Sequence, residues 1–225
     1  MWFVLVMACG ESGASADASS VDAAGLPDAG PDATADAGFL EDAASPDANA
    51  PDADLPDAAA VPFVVTSTAF AEGGTVPLRY ECGPPLQGPG DNISPNLTWT
   101  NGPAGTQSYA VVVRDTDARV PQFPEGIIHW VIYNIPATVH TLPEGIPGAF
   151  TVAAPAGARQ ANIQGSGFFG YFGPCSPTRV NTYVWTVHAM PTVTVPNVSR
   201  ASSESTIAAE IEATSIAQAT LSGES

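Results

Sequence analysis

Val111-Val112-Val113-Arg114-Asp115-Thr116-Asp117-Ala118-Arg119, with Gly126-Ile127-Ile128-His129-Trp130-Val131-Ile132-Tyr133-Asn134-Ile135-Pro136 shortly after it, decides the fold. Residues 109–113 are apolar and mostly β-branched, and residues 127–135 are almost continuously apolar and aromatic. Each run reads as a strand, and a run apolar on both faces reads as one buried on both sides. The loop between them is about a dozen residues, long for a hairpin and so a candidate functional loop. If the strands pair antiparallel, the end of the first lies beside the start of the second. Asp115 and Asp117 then fall near His129, and a buried strand seldom carries a histidine without a partner. The same residues also suit a plain turn and a satisfied core histidine, since aspartate is a common turn residue.

Charge is distributed unevenly. Residues 1–60 hold 12 of the 23 acidic residues and no Lys, Arg or His. The remainder carries 11 acidic residues against all six arginines, and the chain has no lysine. The formal charge of −17 therefore describes the N-terminal segment more than the rest. No basic stripe is present, which argues against a nucleic-acid partner.

Residues 1–8 are short, apolar and uncharged, and Val6-Met7-Ala8-Cys9 resembles a bacterial lipobox whose cysteine would be lipidated. A secretory signal also has a basic start and a longer apolar core. Both are missing, so residues 1–9 read as a partial lipoprotein-type signal whose true start would lie upstream. Residues 10–60 are built from Ala, Asp, Pro, Ser and Gly, with Pro-Asp-Ala beginning at Pro27, Pro31, Pro46, Pro51 and Pro56. The spacing is irregular and no apolar face recurs, so this is no solenoid. Too little apolar surface exists to offset ordering entropy, and the segment is expected to be a disordered, extended acidic tether. These features together predict an exported, membrane-anchored lipoprotein facing the periplasm or cell surface.

A folded domain is expected over residues 61–225. Residues 63–66 read as a strand, 71–74 as a turn, and 75–81 as a strand that Pro77 makes an edge or interrupts. Residues 82–91 form a Gly/Pro loop, and 92–99 lead into another strand. Residues 146–164 lack pattern and read as loop. A helix is expected over 202–219, where Ile207 and Ile211 stand four apart, with a short final strand over 219–223.

These stretches resemble the phosphatidylethanolamine-binding proteins, in particular the bacterial branch often labelled Raf-kinase-inhibitor-like. That family's first signature is an Asp-Pro-Asp-Ala-Pro turn followed by a His-Trp strand ending in Asn-Ile-Pro. Here the turn is Asp115-Thr116-Asp117-Ala118-Arg119, without either proline, and the strand runs from His129-Trp130 to Asn134-Ile135-Pro136. Further family-like pieces are Arg79-Tyr80-Glu81-Cys82, Ile93-Ser94-Pro95, Leu97-Thr98-Trp99 and Leu142-Pro143-Glu144-Gly145. Gly170-Tyr171-Phe172-Gly173-Pro174-Cys175-Ser176-Pro177 is similar to the second signature, a Gly-Pro loop leading to His-Arg-Tyr and a strand. Tyr183 fits the tyrosine, and Asn181 replaces the histidine. The resemblance implies a mainly β single domain with a large central antiparallel β-sheet, a smaller sheet and a C-terminal helix. It also implies a small anion pocket lined by Asp115, Asp117, His129, Asn181 and Tyr183 and closed by Gly173, Pro174 and Pro177. Cys82 and Cys175 lie in loops that the family places near that pocket. A disulfide between them is expected in an exported chain, with two free thiols as the alternative.

Two function classes follow. One is a binding module for a phosphate-bearing or zwitterionic ligand such as phosphoethanolamine, without cofactor, in which a neighbouring carboxylate keeps His129 protonated. Some family members inhibit kinases or proteases, so an unknown protein target belongs to this reading. The alternative is a hydrolase or metal-dependent enzyme using His129 with Asp115 and Asp117. Against it, the chain has no Gly-x-Ser-x-Gly elbow, His-Glu-x-x-His or Cys-x-x-Cys.

Overall fold

The computed structural model describes residues 61–121, 123–176 and 179–225. Cys9, the 10–60 segment and Pro177 lie outside the described residues. The two apolar runs are strands. The chain opens with β1 (Val65–Thr66) and β2 (Gly74–Thr75), then β3 (Leu97–Trp99), β4 (Ser108–Asp115) and β5 (Ile127–Pro136). It continues with β6 (Thr141–Leu142), β7 (Arg159–Gln160), β8 (Thr182–Met190), α1 (Glu204–Thr214) and β9 (Ala217–Glu224). The large sheet has the order β2-β9-β8-β4-β5-β7, and the small one β1-β3-β6. Every pair is antiparallel except β2 with β9.

β4 lies between β5 and β8 and is apolar on both faces because both faces are covered. Tyr109, Val111 and Val113 point into a core shared with Val65, Leu97, Trp99 and Leu142 of the small sheet. Ala110 and Val112 join a second core beneath Ile207, Ala208 and Ile211 of α1. The domain is thus layered as small sheet, large sheet and helix. Trp130 and Trp185 are fully buried in the first core, where burial of a large apolar side chain stabilises by roughly 1.5–3 kcal/mol. The buried Gln160 spends its whole amide group. Its Oε1 accepts from Trp130 Nε1 at 2.8 Å, and its Nε2 donates to the carbonyls of Pro147 and Ala149. This is how an otherwise apolar layer tolerates an amide.

Several expected boundaries shift. Only Val65–Thr66 of the first strand pairs. Residues 75–81 are not one strand: β2 stops at Thr75, and Leu78–Tyr80 is a 3-10 turn after Pro77. The 146–164 stretch contains β7 and a 3-10 turn at Ile163–Gly165. The helix is shorter than expected and the last strand longer. Ser203 caps α1 by accepting from Thr206 N at 3.1 Å. At the other end Ile216 N donates to Ala189 O, which turns the chain into the sheet and starts β9.

Candidate functional site

Asp115 ends β4, Ile127 starts β5 and Tyr183 follows the first residue of β8. The register pairs Asp115 with both Ile127 and Tyr183. Three neighbouring strands therefore deliver side chains to one end of the sheet. A cavity of about 480 Å³ opens there, lined among others by Asp115, His129, Asn181 and Tyr183. All four are at most 4% exposed.

Asp115 organises the group. Its Oδ1 accepts from the backbone N–H of Asp117 (3.0 Å) and Ala118 (2.9 Å), and its Oδ2 accepts from Asn181 Nδ2 at 2.7 Å. The first two bonds fold the 115–118 turn back on itself. Gly126 is needed where the far end of this loop returns. Its φ is +103°, and a Cβ would stand 2.1 Å from Asp115 O.

Asp117 serves the turn instead of the cavity. It is outside the lining, and its Oδ2 accepts from Thr182 N at 2.7 Å. That bond to Thr182 is the strongest influence on the exposed Asp117 and lowers its pKa, with smaller help from Arg179 and Arg119. Gly173 and Pro174 are also outside the lining. Gly173 instead packs against the 80–82 backbone, where a Cβ would stand 2.3 Å from Tyr80 O.

The loop over the cavity is fastened by its own groups. Asn92 clamps it, donating to Tyr171 O and accepting from Gly173 N, both at 2.9 Å. Phe172 N donates to His129 O, and Cys175 N donates to the Tyr183 hydroxyl. A disulfide joins Cys175 to Cys82, with Cα atoms 5.3 Å apart. The amides of Phe172, Gly173 and Cys175 are thus committed within the protein.

His129 is held by two carbonyls. Its Nδ1 lies 3.0 Å from Phe172 O and 3.1 Å from Gly173 O. Carbonyls only accept, so Nδ1 carries the proton. The expectation of a charged imidazolium is corrected here. Burial pushes the His129 pKa down, and this outweighs the two carbonyl bonds and the charge of Asp115. The neutral ring stacks on Phe172 and meets Tyr183 edge-on, with centroids 5.1 Å away in both cases. Nε2 is left as an acceptor. Burial likewise raises the Tyr183 pKa, so its hydroxyl stays protonated.

Arg179 is the charged lining residue that sequence reasoning missed. It is exposed, it brings the cavity's cationic group, and its Nη2 donates to Asp117 O at 3.1 Å. The available signal was an arginine shortly after the Gly-Pro loop in a chain with only six. Phe172 was likewise visible only as part of an aromatic-rich loop.

Comparison with known proteins gives this site a family. The chain is 38% identical over 125 residues to a UPF0098 protein of Methanothermobacter thermautotrophicus, covering 56% of this chain and 74% of that one. It is 34% identical over 138 residues to a Mycobacterium tuberculosis protein named "Putative lipoprotein LppC", covering 59% of this chain and 58% of that one. The crystal structure of Escherichia coli YbcL, described as a member of the mammalian PEBP family, superposes with a TM-score of 0.62. That match is 33% identical and covers 72% of this chain and 96% of YbcL. Residues 66–225 match the family model described as phosphatidylethanolamine-binding protein. The chain therefore belongs to the phosphatidylethanolamine-binding protein family.

Proposed function

We propose that the domain is a binding module for a small phosphate-bearing, zwitterionic headgroup, held on the outer side of a membrane by a lipid on Cys9. The observation that carries the binding reading is the convergence of Asp115, His129, Asn181 and Tyr183, all buried, on one cavity with Arg179 at its mouth. Buried polar groups that converge on a cavity are the usual mark of a ligand site. Binding is favoured over catalysis by the way these groups are used. A histidine acting as general base is commonly oriented by a carboxylate on its other nitrogen. Here that nitrogen faces two carbonyls. Cys175 is tied in its disulfide and offers no thiolate.

Calorimetry of the protein with phosphoethanolamine tests the reading. One site per chain is expected, weakened about tenfold or more in His129→Ala, because a lost bond to a charged group is typically about 1.5–3 kcal/mol. Equal affinity in the two proteins would remove His129 from the site. Turnover of a headgroup ester that disappears in the variant would move the assignment to a hydrolase.

The anchoring half rests on Val6-Met7-Ala8-Cys9 and on the acidic segment that follows. One acyl chain binds membranes marginally, and two or more hold firmly. Expressed behind a complete lipoprotein signal, the wild type is expected in the membrane fraction and labelled by a fatty-acid probe. Cys9→Ser is expected to be unlabelled and released, and an equally membrane-bound Cys9→Ser protein would refute the anchor.

A further inference from the structure

We infer a second ligand site, for a small organic anion with one carboxylate or phosphate group, at the end of the large sheet opposite the first cavity. It is independent of the headgroup reading. β4 runs from Ser108 to Asp115, and the first cavity lies at Asp115. At the other end the register sets Ser108 beside Pro136 of β5 and Met190 of β8. A cavity of about 380 Å³ opens there, lined among others by Gln107, Asn134, Pro136, Arg159 and Val193. At roughly 3.3 Å per strand residue the two ends of β4 stand about 23 Å apart, too far for one small ligand to fill both cavities.

Two residues supply this cavity with donors. Tyr109 and Val111 pair with Ile135 and Ile132, so β5 holds one residue more there than β4. This bulge carries Asn134 in the left-handed region, with φ at 60°. Bulges re-aim side chains, and asparagine tolerates this conformation better than most residues. The Val195 N–H can only donate, so the Asn134 amide turns its Oδ1 there at 2.7 Å and its NH₂ away. Arg159 is the second donor. Its Nη1 donates to the carbonyls of Gly157 (2.8 Å) and Ala158 (3.1 Å), and its guanidinium lies 5.7 Å from the centre of the Phe150 ring. Both Nη1 hydrogens are thereby spent, which leaves the edge formed by Nε and Nη2. Two parallel N–H bonds from such an edge match the paired oxygens of a carboxylate or phosphate. The ion pairs among the described residues are Arg79–Glu144 and Arg114–Glu212, so neither involves Arg159. No acidic residue lines this cavity, whereas Asp115 lines the first. Arg200 stacks on the same Phe150 ring at 5.4 Å, also outside those ion pairs. Two guanidiniums on one ring give a local positive field in a chain whose formal charge is −17, and such a field draws an anion. Pro136 and the exposed Val193 supply an apolar wall for the organic part of the ligand.

The test is NMR of the ¹⁵N-labelled full chain, read at the assigned Nε–H signals of its six arginines. The probes are benzoate and methyl phosphate, which separate a carboxylate ligand from a phosphate ligand. A saturable shift of the Arg159 signal is expected with at least one of them, with a dissociation constant of about 1 mM or below. Arg159→Gln, followed at the Asn134 side-chain amide, is expected to weaken that binding at least about tenfold, the value of a bond to a charged group. Arg200→Gln removes the other cation from the ring without touching the lining, and is expected to weaken it by no more than about threefold, as a screened charge does. Circular dichroism matching the wild type establishes that both variants are folded. The wild-type titration needs no variant, so a misfolded Arg159→Gln leaves the proposal decidable. An Arg159 signal that does not saturate with either probe at tens of millimolar overturns the site. Equal losses in the two folded variants also overturn it, because they mark a diffuse charge effect.

Discussion

Opening the Cys82–Cys175 bridge is expected to cost the domain about 4 kcal/mol of stability, a large share of the roughly 5–15 kcal/mol typical of a folded domain. The two cysteines are 93 residues apart. Closing a loop of that size removes about 4–5 kcal/mol of chain entropy from the unfolded state. The bridge also supports packing, since a Cβ at Gly88 would stand 2.2 Å from Cys82 Sγ. Urea unfolding with and without reductant measures the effect, and the Cys82→Ser, Cys175→Ser double variant gives the same comparison without chemistry. The midpoint should fall sharply. The denaturant slope should rise, because an uncrosslinked unfolded chain exposes more surface. An unchanged midpoint would show that the loops are held by Asn92 and the backbone bonds alone.

Acid is expected to unfold the domain through His188, which is buried on β8. Its Nδ1 is 3.3 Å from Ser215 Oγ, and its Nε2 is sealed without a partner. Burial, with a smaller push from Arg114, lowers its pKa from 6.5 to about 4. Arg114 itself pairs with Glu212 of α1. The unfolded chain therefore binds a proton more readily than the folded one between these values. Stability from keeping this ring neutral is complete above pH 6.5 and is lost as pH falls toward 4. The loss is about 2 kcal/mol at pH 5 and about 3 kcal/mol at pH 4. His129 acts in the same direction, so the comparison must isolate one ring. His188→Leu should show a flatter stability curve over this interval by that amount. Parallel curves for wild type and variant would mean that His188 stays neutral in both states or is solvated on both sides.

The parts of this molecule that could be read from its sequence are those where a local pattern and the tertiary environment agree. β4 and β5 are β-branched and aromatic on both faces, and both faces are covered. Antiparallel pairing then carries Asp115 to the start of β5 by geometry alone. The two-residue strands β1, β2, β6 and β7 have no such pattern, because partners far along the chain impose their pairing. The α1–β9 boundary was blurred by Ala213-Thr214-Ser215-Ile216-Ala217-Gln218-Ala219, whose small and mixed residues suit either state. Within the site, proximity of Asp115 and Asp117 to His129 suggested a charged ring. The sequence does not show that Phe172 and Gly173 carbonyls hold that ring, or that it is buried. Nor does it show that Asp117 turns away to Thr182 while Asn181, 66 residues from Asp115, takes the carboxylate.

β9 comes last among the strands yet lies inside the large sheet, between β2 and β8. Its pairing with β2 joins segments that are about 150 residues apart, as the Glu72–Ser222 contact shows. Synthesis proceeds from the N-terminus, so β2 is made long before β9, and β8, ending at Met190, shows an open row of N–H and C=O groups until the chain from Ala217 arrives. Contacts of this range form slowly, because the intervening chain must be closed first. The β2–β9 side of the large sheet is thus the last to close. The same delay leaves a sticky β8 edge for a holding chaperone to cover. A lesion in the last ten residues would then act as a defect of biogenesis, lowering the yield of mature protein before it altered any affinity.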